Sequence, residues 1–354
     1  MAVENVQHKI KVLVIDDSAL ARKILMDGLS RDPEIEVVGS APDVYVARDK
    51  IVYQKPDVLT LDVEMPRMDG VEFLRRLMPQ YPLPVIMVSA LTTPGAQVTL
   101  EALEYGAIDF VAKPSTSFGN KLEQMLDELI HKIKLASTID VSRWKDRKVK
   151  KGKKPQSAVL TGSTDKVIGI GASTGGTVAL RTMIEAFPPD MPGTVIVQHM
   201  PPKFTKMFAD KLNSISKVEV KEAEDQDRIL KGRVLIAPGG MQMSVVRSGG
   251  IYQVRVKEGE KVNGHAPSVD VLFRSMAQYV GSNAVGVILT GMGRDGADGM
   301  WEMKNNGART LGQNESSCVV FGMPKEAYQK DAVEKLLPIE DMTLEVVKLL
   351  REMK

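Results

Sequence analysis

The sequence predicts an α/β protein built from two doubly wound, mainly parallel sheets that follow one another along the chain. Short apolar runs alternate with segments whose apolar residues recur every three or four positions, as they do where strands alternate with amphipathic helices. This alternation occurs twice, before and after a lysine-rich stretch. A length of 354 residues also suits two domains, since one domain commonly holds about 100–200 residues.

Five apolar runs in the first region predict the strands of a doubly wound (βα)5 domain over residues 1–137. They read KVLVID, EVVGS, DVLTLDV, PVIMVSA and DFVAKP. The segments SALARKILMDGLS and GVEFLRRLM between them have helical spacing. We expect NKLEQMLDELIHKIKLA to form the helix that closes the domain.

Residues 138–165 are predicted to form a basic, flexible linker. The part at 143–154 carries eight Lys/Arg and one Asp. A basic run beside a tryptophan is compatible with an anionic surface or nucleic acid. Like charges repel, however, and the run has no periodicity, which favours a solvated linker.

Residues 166–354 are predicted to form a second α/β domain. Its strand candidates read KVIGIGAS, TVIVQHM, RVLIAPG and AVGVILTGMG. The stretch MSVVRSGGIYQVRVK predicts an antiparallel hairpin, because two β-rich runs flank a Ser-Gly-Gly turn. We therefore expect a mostly parallel doubly wound sheet with an antiparallel insert.

The composition indicates a globular protein of the cytoplasm, with 43% hydrophobic and 26% charged residues. Cys318, the single cysteine, excludes an intrachain disulfide, which fits a reducing compartment. No run reaches the ~18 consecutive apolar residues of a membrane helix, and no signal-peptide pattern opens the chain. We expect no direct insertion into a membrane.

Polar side chains stand at the ends of four predicted strands of the first domain. These are Asp16, Asp17, Asp62, Ser89 and Lys113. In an open parallel sheet these ends share the carboxyl edge, where ligands bind. Converging carboxylates need a cation, and hard oxygen ligands suit Mg²⁺. A lysine and a hydroxyl at the same place suit a phosphoryl group.

This pattern resembles the receiver domains of two-component response regulators over nearly all of residues 10–115. The resemblance implies that Asp62 accepts a phosphoryl group from a partner histidine kinase. It also implies phosphate contacts from Ser89 and Lys113. The Mg²⁺ ligands it implies are Asp16, Asp17, Asp62 and the main-chain carbonyl of Glu64.

The stretch GIGASTGGTVAL at 169–180 poses the main question about the second domain. A dinucleotide fingerprint needs glycine where the chain has Thr174, and an acidic residue about 20 positions on, which is missing. The run from Gly171 to Gly175 instead fits G-x-S-x-G between a strand and a helix. This favours Ser173 as a nucleophile, with the N–H groups of the helix start available to an oxyanion.

A serine nucleophile needs a base and a carboxylate that orients the base. His199 follows the strand next to that of Ser173, whereas His265 lies in a loop and is the rival base. The segment VILTGMGRDGADGM supplies Asp295 and Asp298. Asp295 is preferred because it stands nearer the end of its strand.

Several motifs together resemble the protein-glutamate methylesterases of bacterial chemotaxis, a family also known as glutamine deamidases. They are GIGASTGGT, VQHMPPKFT, VLIAPGG, HAPSVDVLF, LTGMGRDGADGM and NESSCVVFGMP. The resemblance implies Ser173 as nucleophile, His199 as base and Asp295 as orienting acid. It implies an oxyanion site at Thr174, Gly175 and Met292.

The same resemblance implies the substrate and the control of the enzyme. The substrate is a glutamate γ-methyl ester on a methyl-accepting chemoreceptor, which is hydrolysed to methanol and glutamate without a cofactor. Receptor glutamines are a second implied substrate. The unphosphorylated receiver domain is expected to cover the active site and to release it on phosphorylation.

Two other function classes are weaker. A transcription regulator needs a helix-turn-helix or a basic recognition helix, but the second domain is rich in strands and glycine, so we expect no nucleic-acid partner. A cysteine enzyme would use Cys318, which runs into apolar residues in SSCVVFGMP. A lone cysteine in such a setting is more often part of the core.

Overall fold

A computed structural model describes residues 9–90, 93–114, 120–142, 152–155 and 165–353. The chain divides into two compact units, Met1–Lys148 and Val149–Lys354. The predicted linker spans this division, and its residues 143–151 and 156–164 lie outside the described ranges. Within the described residues, none of the helices has both the length and the apolar character needed to cross a bilayer.

The first unit is a five-stranded sheet with five helices. The strands are β1 (Ile10–Ile15), β2 (Ile35–Ala41), β3 (Val58–Asp62), β4 (Val85–Ala90) and β5 (Asp109–Lys113). The helices are α1 (Ala19–Leu29), α2 (Val44–Gln54), α3 (Gly70–Gln80), α4 (Thr93–Tyr105) and α5 (Asn120–Ala136). The strand order is β2-β1-β3-β4-β5, and every pairing is parallel. This confirms the predicted (βα)5 domain.

Local chemistry explains where several of these helices begin. Ser18, Asp43 and Asp69 stand at the N-caps of α1, α2 and α3 and accept hydrogen bonds from backbone N–H groups of the first turn. Such caps satisfy donors that a helix start leaves without partners. The central strand β3 is buried along its whole length, as expected for a parallel strand covered on both faces.

The second unit is built around a seven-stranded sheet with a separate hairpin. Its strands are β6 (Val167–Ala172), β7 (Gly193–Gln198), β8 (Glu219–Glu222), β9 (Arg233–Ile236), β10 (Gln242–Ser248), β11 (Ile251–Lys257), β12 (Ala284–Ile288), β13 (Arg309–Gln313) and β14 (Lys335–Leu337). Its helices are α6 (Gly176–Ile184), α7 (Phe204–Ile215), α8 (Val269–Tyr279), α9 (Ala297–Asn305), α10 (Met323–Gln329) and α11 (Ile339–Glu352).

The strand order of the large sheet is β14-β13-β12-β6-β7-β9-β8, and its pairings are parallel. Strands β10 and β11 form the predicted antiparallel hairpin as a sheet of their own. Gly249 and Gly250 at its tip both have positive φ, which glycine adopts without strain. The predicted fold class is confirmed.

Three short strands of the large sheet were not predicted from the sequence. They are β8, β13 and β14. β8 reads EVKE and β14 reads KLL, so neither offers the run of β-branched residues that signals a strand. Their conformation is decided by pairing with a neighbouring strand whose sequence signal is stronger, as is common for short strands.

The topology sets the place of the site. Strand β6 lies between β7, which follows it in sequence, and β12, which comes much later. The chain therefore changes direction along the sheet at β6, and a crevice forms at the carboxyl ends of such strands. Gly171 lets α8 approach β6 closely, because a Cβ there would lie 2.9 Å from Cγ2 of Val269. This brings the start of α8 to the same crevice.

Candidate active site

Ser173 lies in the tight turn between β6 and α6. Its backbone N–H donates to the carbonyl of Thr290 at 3.0 Å, and its own carbonyl accepts from the N–H of Gly176 at 2.7 Å. Gly175 has a φ of 76°, in the left-handed region that favours glycine. Gly291 packs against the serine, since a Cβ at this position would lie 2.7 Å from that of Ser173.

Two peptide groups near Ser173 are held in place because their carbonyl oxygens accept hydrogen bonds. The carbonyl of Thr174 accepts from Thr290 Oγ1 at 3.0 Å, and the carbonyl of Gly291 accepts from the N–H of Met323 at 2.8 Å. In a trans peptide the following N–H points the opposite way. For the N–H of Gly175 and that of Met292, no acceptor is recorded anywhere in the described part of the chain. Both donors are therefore available to a developing oxyanion.

His199 follows β7 as Ser173 follows β6. Ala172 and Gln198 are register partners at the ends of these neighbouring strands, and the N–H of His199 donates to the carbonyl of Ala172 at 3.1 Å. The next residues, Ser173 and His199, thus stand side by side at the carboxyl edge of the sheet. The Nδ1 atom of His199 is buried and has no hydrogen-bond partner among the described residues.

Asp295 is buried and holds His199. Its Oδ2 accepts from Nε2 of His199 at 2.8 Å, while Ser268 Oγ and the N–H of Val269 donate to the same carboxylate at 2.8 and 2.7 Å. Burial alone would raise the pKa of Asp295, but the hydrogen bonds from His199, Asn263 and Ser268 outweigh it and hold that pKa well below its usual range. The carboxylate stays charged at the start of α8, where the helix dipole favours an anion.

The two residues that sequence reasoning left as rivals take other places. The ring of His265 stacks on that of His199 at 3.7 Å, with 10° between the ring planes. Asp298 lies in the first turn of α9 on the surface, where it pairs with Lys330 at 2.8 Å and Arg274 at 3.6 Å. Asp298 does not cap α9, whose N-cap residue is Gly296.

Two residues around Ser173, His199 and Asp295 were not singled out by sequence reasoning. Gln198 donates from Nε2 to the carbonyls of Ser173 and His199 at 3.0 and 3.2 Å. Asn263 donates to Asp295 Oδ1 at 2.9 Å. These amides carry no motif, since their partners are set by tertiary contacts. The run Asn263-Gly264 was a usable signal for a tight turn.

A second polar cluster lies at the carboxyl edge of the first unit's sheet. Carboxylate oxygens of Asp16, Asp17 and Asp62 lie within 4.8 Å of one another. Lys113 Nζ lies 2.7 Å from both Asp16 Oδ2 and Asp62 Oδ2. Three oxygens at this spacing form an acidic cluster suited to a hard divalent cation.

The electrostatics of the cluster follow from burial and from the lysine. Burial raises the pKa of Asp62, and its contact with Lys113 offsets this effect only in part. Burial would lower the pKa of Lys113, but the bonds to Asp16 and Asp62 outweigh it and raise the pKa. Ser89 is buried close to the end of β4, and Glu64 is exposed just after β3. All sequence-predicted strand-end residues thus lie along the predicted edge.

Two family models match the chain in the order of its units. The response regulator receiver domain matches residues 12–127, and CheB methylesterase matches residues 168–346. The second match contains the turn of Ser173 and the carboxylate of Asp295.

Known proteins are similar over nearly the whole chain. A protein-glutamate methylesterase/protein-glutamine glutaminase of Syntrophotalea carbinolica is 60% identical over 347 residues, which cover 97% of this chain and 98% of the relative. A protein of the same description from Sulfurimonas denitrificans is 55% identical and covers 98% and 99%. The crystal structure of the Thermotoga maritima CheB methylesterase catalytic domain has a TM-score of 0.51 and 36% identity, and covers 52% of this chain and 98% of that domain.

Proposed function

The chain belongs to the CheB methylesterase family and carries a response regulator receiver domain, and we propose that Ser173, His199 and Asp295 form its catalytic triad. The enzyme hydrolyses glutamate γ-methyl esters on chemoreceptors and deamidates receptor glutamines, and the relatives at 60% and 55% identity are named protein-glutamate methylesterase/protein-glutamine glutaminase. The observation that carries the assignment is the state of the His199 ring, which is bonded to Asp295 through Nε2 and has no hydrogen-bond partner on Nδ1 within the described part of the chain.

That state supports one direction of proton transfer. When Nε2 of His199 donates to the charged carboxylate of Asp295, the neutral ring keeps its lone pair on Nδ1. A base must stand beside the proton it removes, and the backbone bond from His199 to Ala172, the residue before Ser173, supports this pairing. Nδ1 therefore takes the proton of Ser173 Oγ as the oxygen attacks the γ-carbonyl carbon of the ester.

The tetrahedral species that forms carries a negative oxygen. The N–H groups of Gly175 and Met292 support it, because both are held in place by clamped carbonyls and neither has another acceptor in the described residues. Thr174 contributes the carbonyl that orients the first of these peptides. Fixed donors of this kind lower the barrier without reorganising during the reaction.

The intermediate then collapses. His199 returns the proton to the methoxy oxygen, methanol leaves, and the glutamyl carbonyl remains as an ester on Ser173. Water then attacks that ester while His199 takes one of its protons, and His199 gives that proton to Ser173 Oγ as this oxygen leaves, so that the receptor keeps a glutamate side chain. A glutamine side chain follows the same route with ammonia as the leaving group, since its amide passes through the same kind of tetrahedral species.

The first unit supplies control. We propose Asp62 as the phosphoacceptor and place Mg²⁺ on Asp16, Asp17, Asp62 and the carbonyl of Glu64. The ion would neutralise charge on the transferred phosphoryl group. Ser89 and Lys113 would then donate to the phosphate oxygens, which need hydrogen-bond donors and positive charge.

The partners follow from this chemistry. The phosphodonor is a chemotaxis histidine kinase, and the protein substrate is a methyl-accepting chemoreceptor, which places the enzyme in the cytoplasm. The proposed boundaries are 1–137 for the receiver domain, 138–165 for the linker and 166–354 for the catalytic domain.

The test is the release of methanol from methylated receptor membranes by the full-length protein. Wild type is compared with and without a small-molecule phosphodonor and Mg²⁺, and with Ser173→Ala. We expect release that rises with the phosphodonor and is lost in the variant. Equal release by wild type and variant would refute the role of Ser173.

A further inference from the structure

We propose that Asn263 is a positioning residue of the triad, held in place by Asp270, so that the hydrogen-bonded chain runs from Asp270 through Asn263 and Asp295 to His199. The inference rests on the proposed function, because it assigns a role in the same reaction. Neither residue has a place in the mechanism as derived above.

Both contacts are made by the side-chain amide nitrogen of Asn263. Asn263 Nδ2 donates to Asp270 Oδ2 at 2.7 Å and to Asp295 Oδ1 at 2.9 Å. Its two hydrogens thus bind two different buried carboxylates, which are each 1% exposed. The other oxygen of Asp295 accepts from His199. The amide and the imidazole therefore hold the carboxylate from opposite oxygens.

A tight turn delivers this amide to the site. The backbones of Val262 and His265 exchange both hydrogen bonds, at 3.0 and 2.9 Å. Between them Asn263 and Gly264 have φ values of 52° and 82°, as a two-residue turn of this kind requires. The same turn stacks His265 on the ring of His199, so one short loop contacts both the base and the acid of the triad.

Asp270 is held partly from outside the triad, although its own backbone N–H also donates to Asp295 Oδ1 at 3.3 Å. Its Oδ1 accepts from the N–H of Gly299 at 2.7 Å, in the first turn of α9, while Asp295 accepts from the N–H of Val269 at the start of α8. The carboxylate of Asp270, which lies on α8, thus binds the start of α9, and the carboxylate of Asp295, which precedes α9, binds the start of α8. Two packed helices hold Asp270 in place, and Asp270 in turn fixes the orientation of the Asn263 amide.

The amide also separates two like charges. Burial and the nearby charge of Asp295 raise the pKa of Asp270. The two N–H bonds of the Asn263 amide, one directed at each carboxylate, offset the repulsion between Asp270 and Asp295. Without them, more uncompensated negative charge would face His199 through Asp295, and the protonated ring would be favoured. A protonated ring cannot accept the proton of Ser173.

The pH dependence involves the titratable and charged groups that contact this arrangement in the described residues. His199 is in contact with Asp295 and with the stacked ring of His265. Asp270 lies 4.0 Å from the guanidinium of Arg274. The substitution Asn263→Gly leaves all of these groups in the chain, and it removes only the amide.

The experiment measures kcat/KM for methanol release against pH, on the full-length protein with phosphodonor and Mg²⁺. Asn263→Gly deletes the amide at a φ that glycine tolerates. The matched control is Gln226→Gly, an exposed amide in another loop, also at positive φ. Asp270→Asn is the second variant, since it replaces the acceptor for the Asn263 amide with a group that is not charged. Thermal unfolding is followed in parallel for each protein.

We expect Asn263→Gly to lower kcat by about tenfold, the order expected for one lost bond to a charged group, and to move the acidic limb of the profile to higher pH. Gln226→Gly should match wild type, and Asp270→Asn should lower kcat. A purely structural role would reduce activity and thermal stability but leave the limb in place, which would overturn the inference. If kcat is unchanged in Asn263→Gly while wild type still releases more methanol than Ser173→Ala, the inference is also overturned. If wild type and Ser173→Ala release methanol equally, the proposed function itself is refuted.

Discussion

The Nε2 atom of His199, and not its Nδ1 atom, faces Oδ2 of Asp295 at 2.8 Å. In the serine-protease triad the acid binds Nδ1 and the serine faces Nε2. We infer that the ring is used in the reverse sense here, because the buried Nδ1 is the nitrogen that has no partner in the residues the structure describes. In the proposed triad the three residues keep their roles, although the two ring nitrogens have exchanged places.

Replacing the acid by its amide should disable the base. Asp295→Asn removes the charge that stabilises the imidazolium and permits the wrong tautomer, so we expect kcat to fall by about 10⁴-fold, as for such a change in a triad. The variant should also unfold more easily, by about 1.5–3 kcal/mol, because bonds from the start of α8 lose a charged acceptor. Steady-state kinetics and thermal denaturation check both effects.

The matched control for that variant is Asp298→Asn. Asp298 is three residues further on, on the surface, and pairs with Lys330 and Arg274. Exposed pairs of this kind contribute little, so we expect near wild-type kcat. A comparable loss in both variants would contradict the assignment of Asp295.

Phosphorylation should depend on Asp62. We expect Asp62→Asn to abolish incorporation of phosphate from a small-molecule donor and the rise in esterase activity that accompanies it, while basal activity remains. The control is Asp49→Asn, since Asp49 is exposed and bonded to Arg48. Phosphate content by mass spectrometry and methanol release are measured on the same samples. Activation that persists in Asp62→Asn would place the phosphoacceptor elsewhere.

Cys318 should be inert at working pH. Burial raises the pKa of its thiol to about 12, so the reactive thiolate forms only as the pH approaches that value. We expect native protein to react with iodoacetamide far more slowly than glutathione does between about pH 7 and 9, where an ordinary thiol titrates. Cys318→Ala should retain esterase activity. Rapid alkylation with loss of activity would revive a cysteine mechanism.

Much of the fold could be predicted because its strands are strong local signals. Buried runs such as VIGIGA in β6 and the amphipathic helices carry their periodicity in a short window. The strand β8, EVKE, does not, because its conformation depends on pairing with β9. Sequence reasoning therefore found the central strands that bear the site and missed short strands that complete the sheet.

The site shows the same division. Ser173, His199 and Asp295 could be proposed because each directly follows a predicted strand or its loop, and parallel strand ends converge. Asn263 and Gln198 could not, because their roles depend on which carboxylate or carbonyl lies opposite. The choice of ring nitrogen on His199 was equally out of reach, since it depends on the side from which Asp295 approaches.

The most direct test of the central claim is covalent labelling of the full-length protein, with phosphodonor and Mg²⁺ present, by a serine-directed organophosphonate. The site of the adduct is then mapped by mass spectrometry. We expect a single adduct on Ser173, formed much more slowly in His199→Asn because the base is missing. An adduct on another residue, or no adduct while methanol release continues, would contradict the central claim.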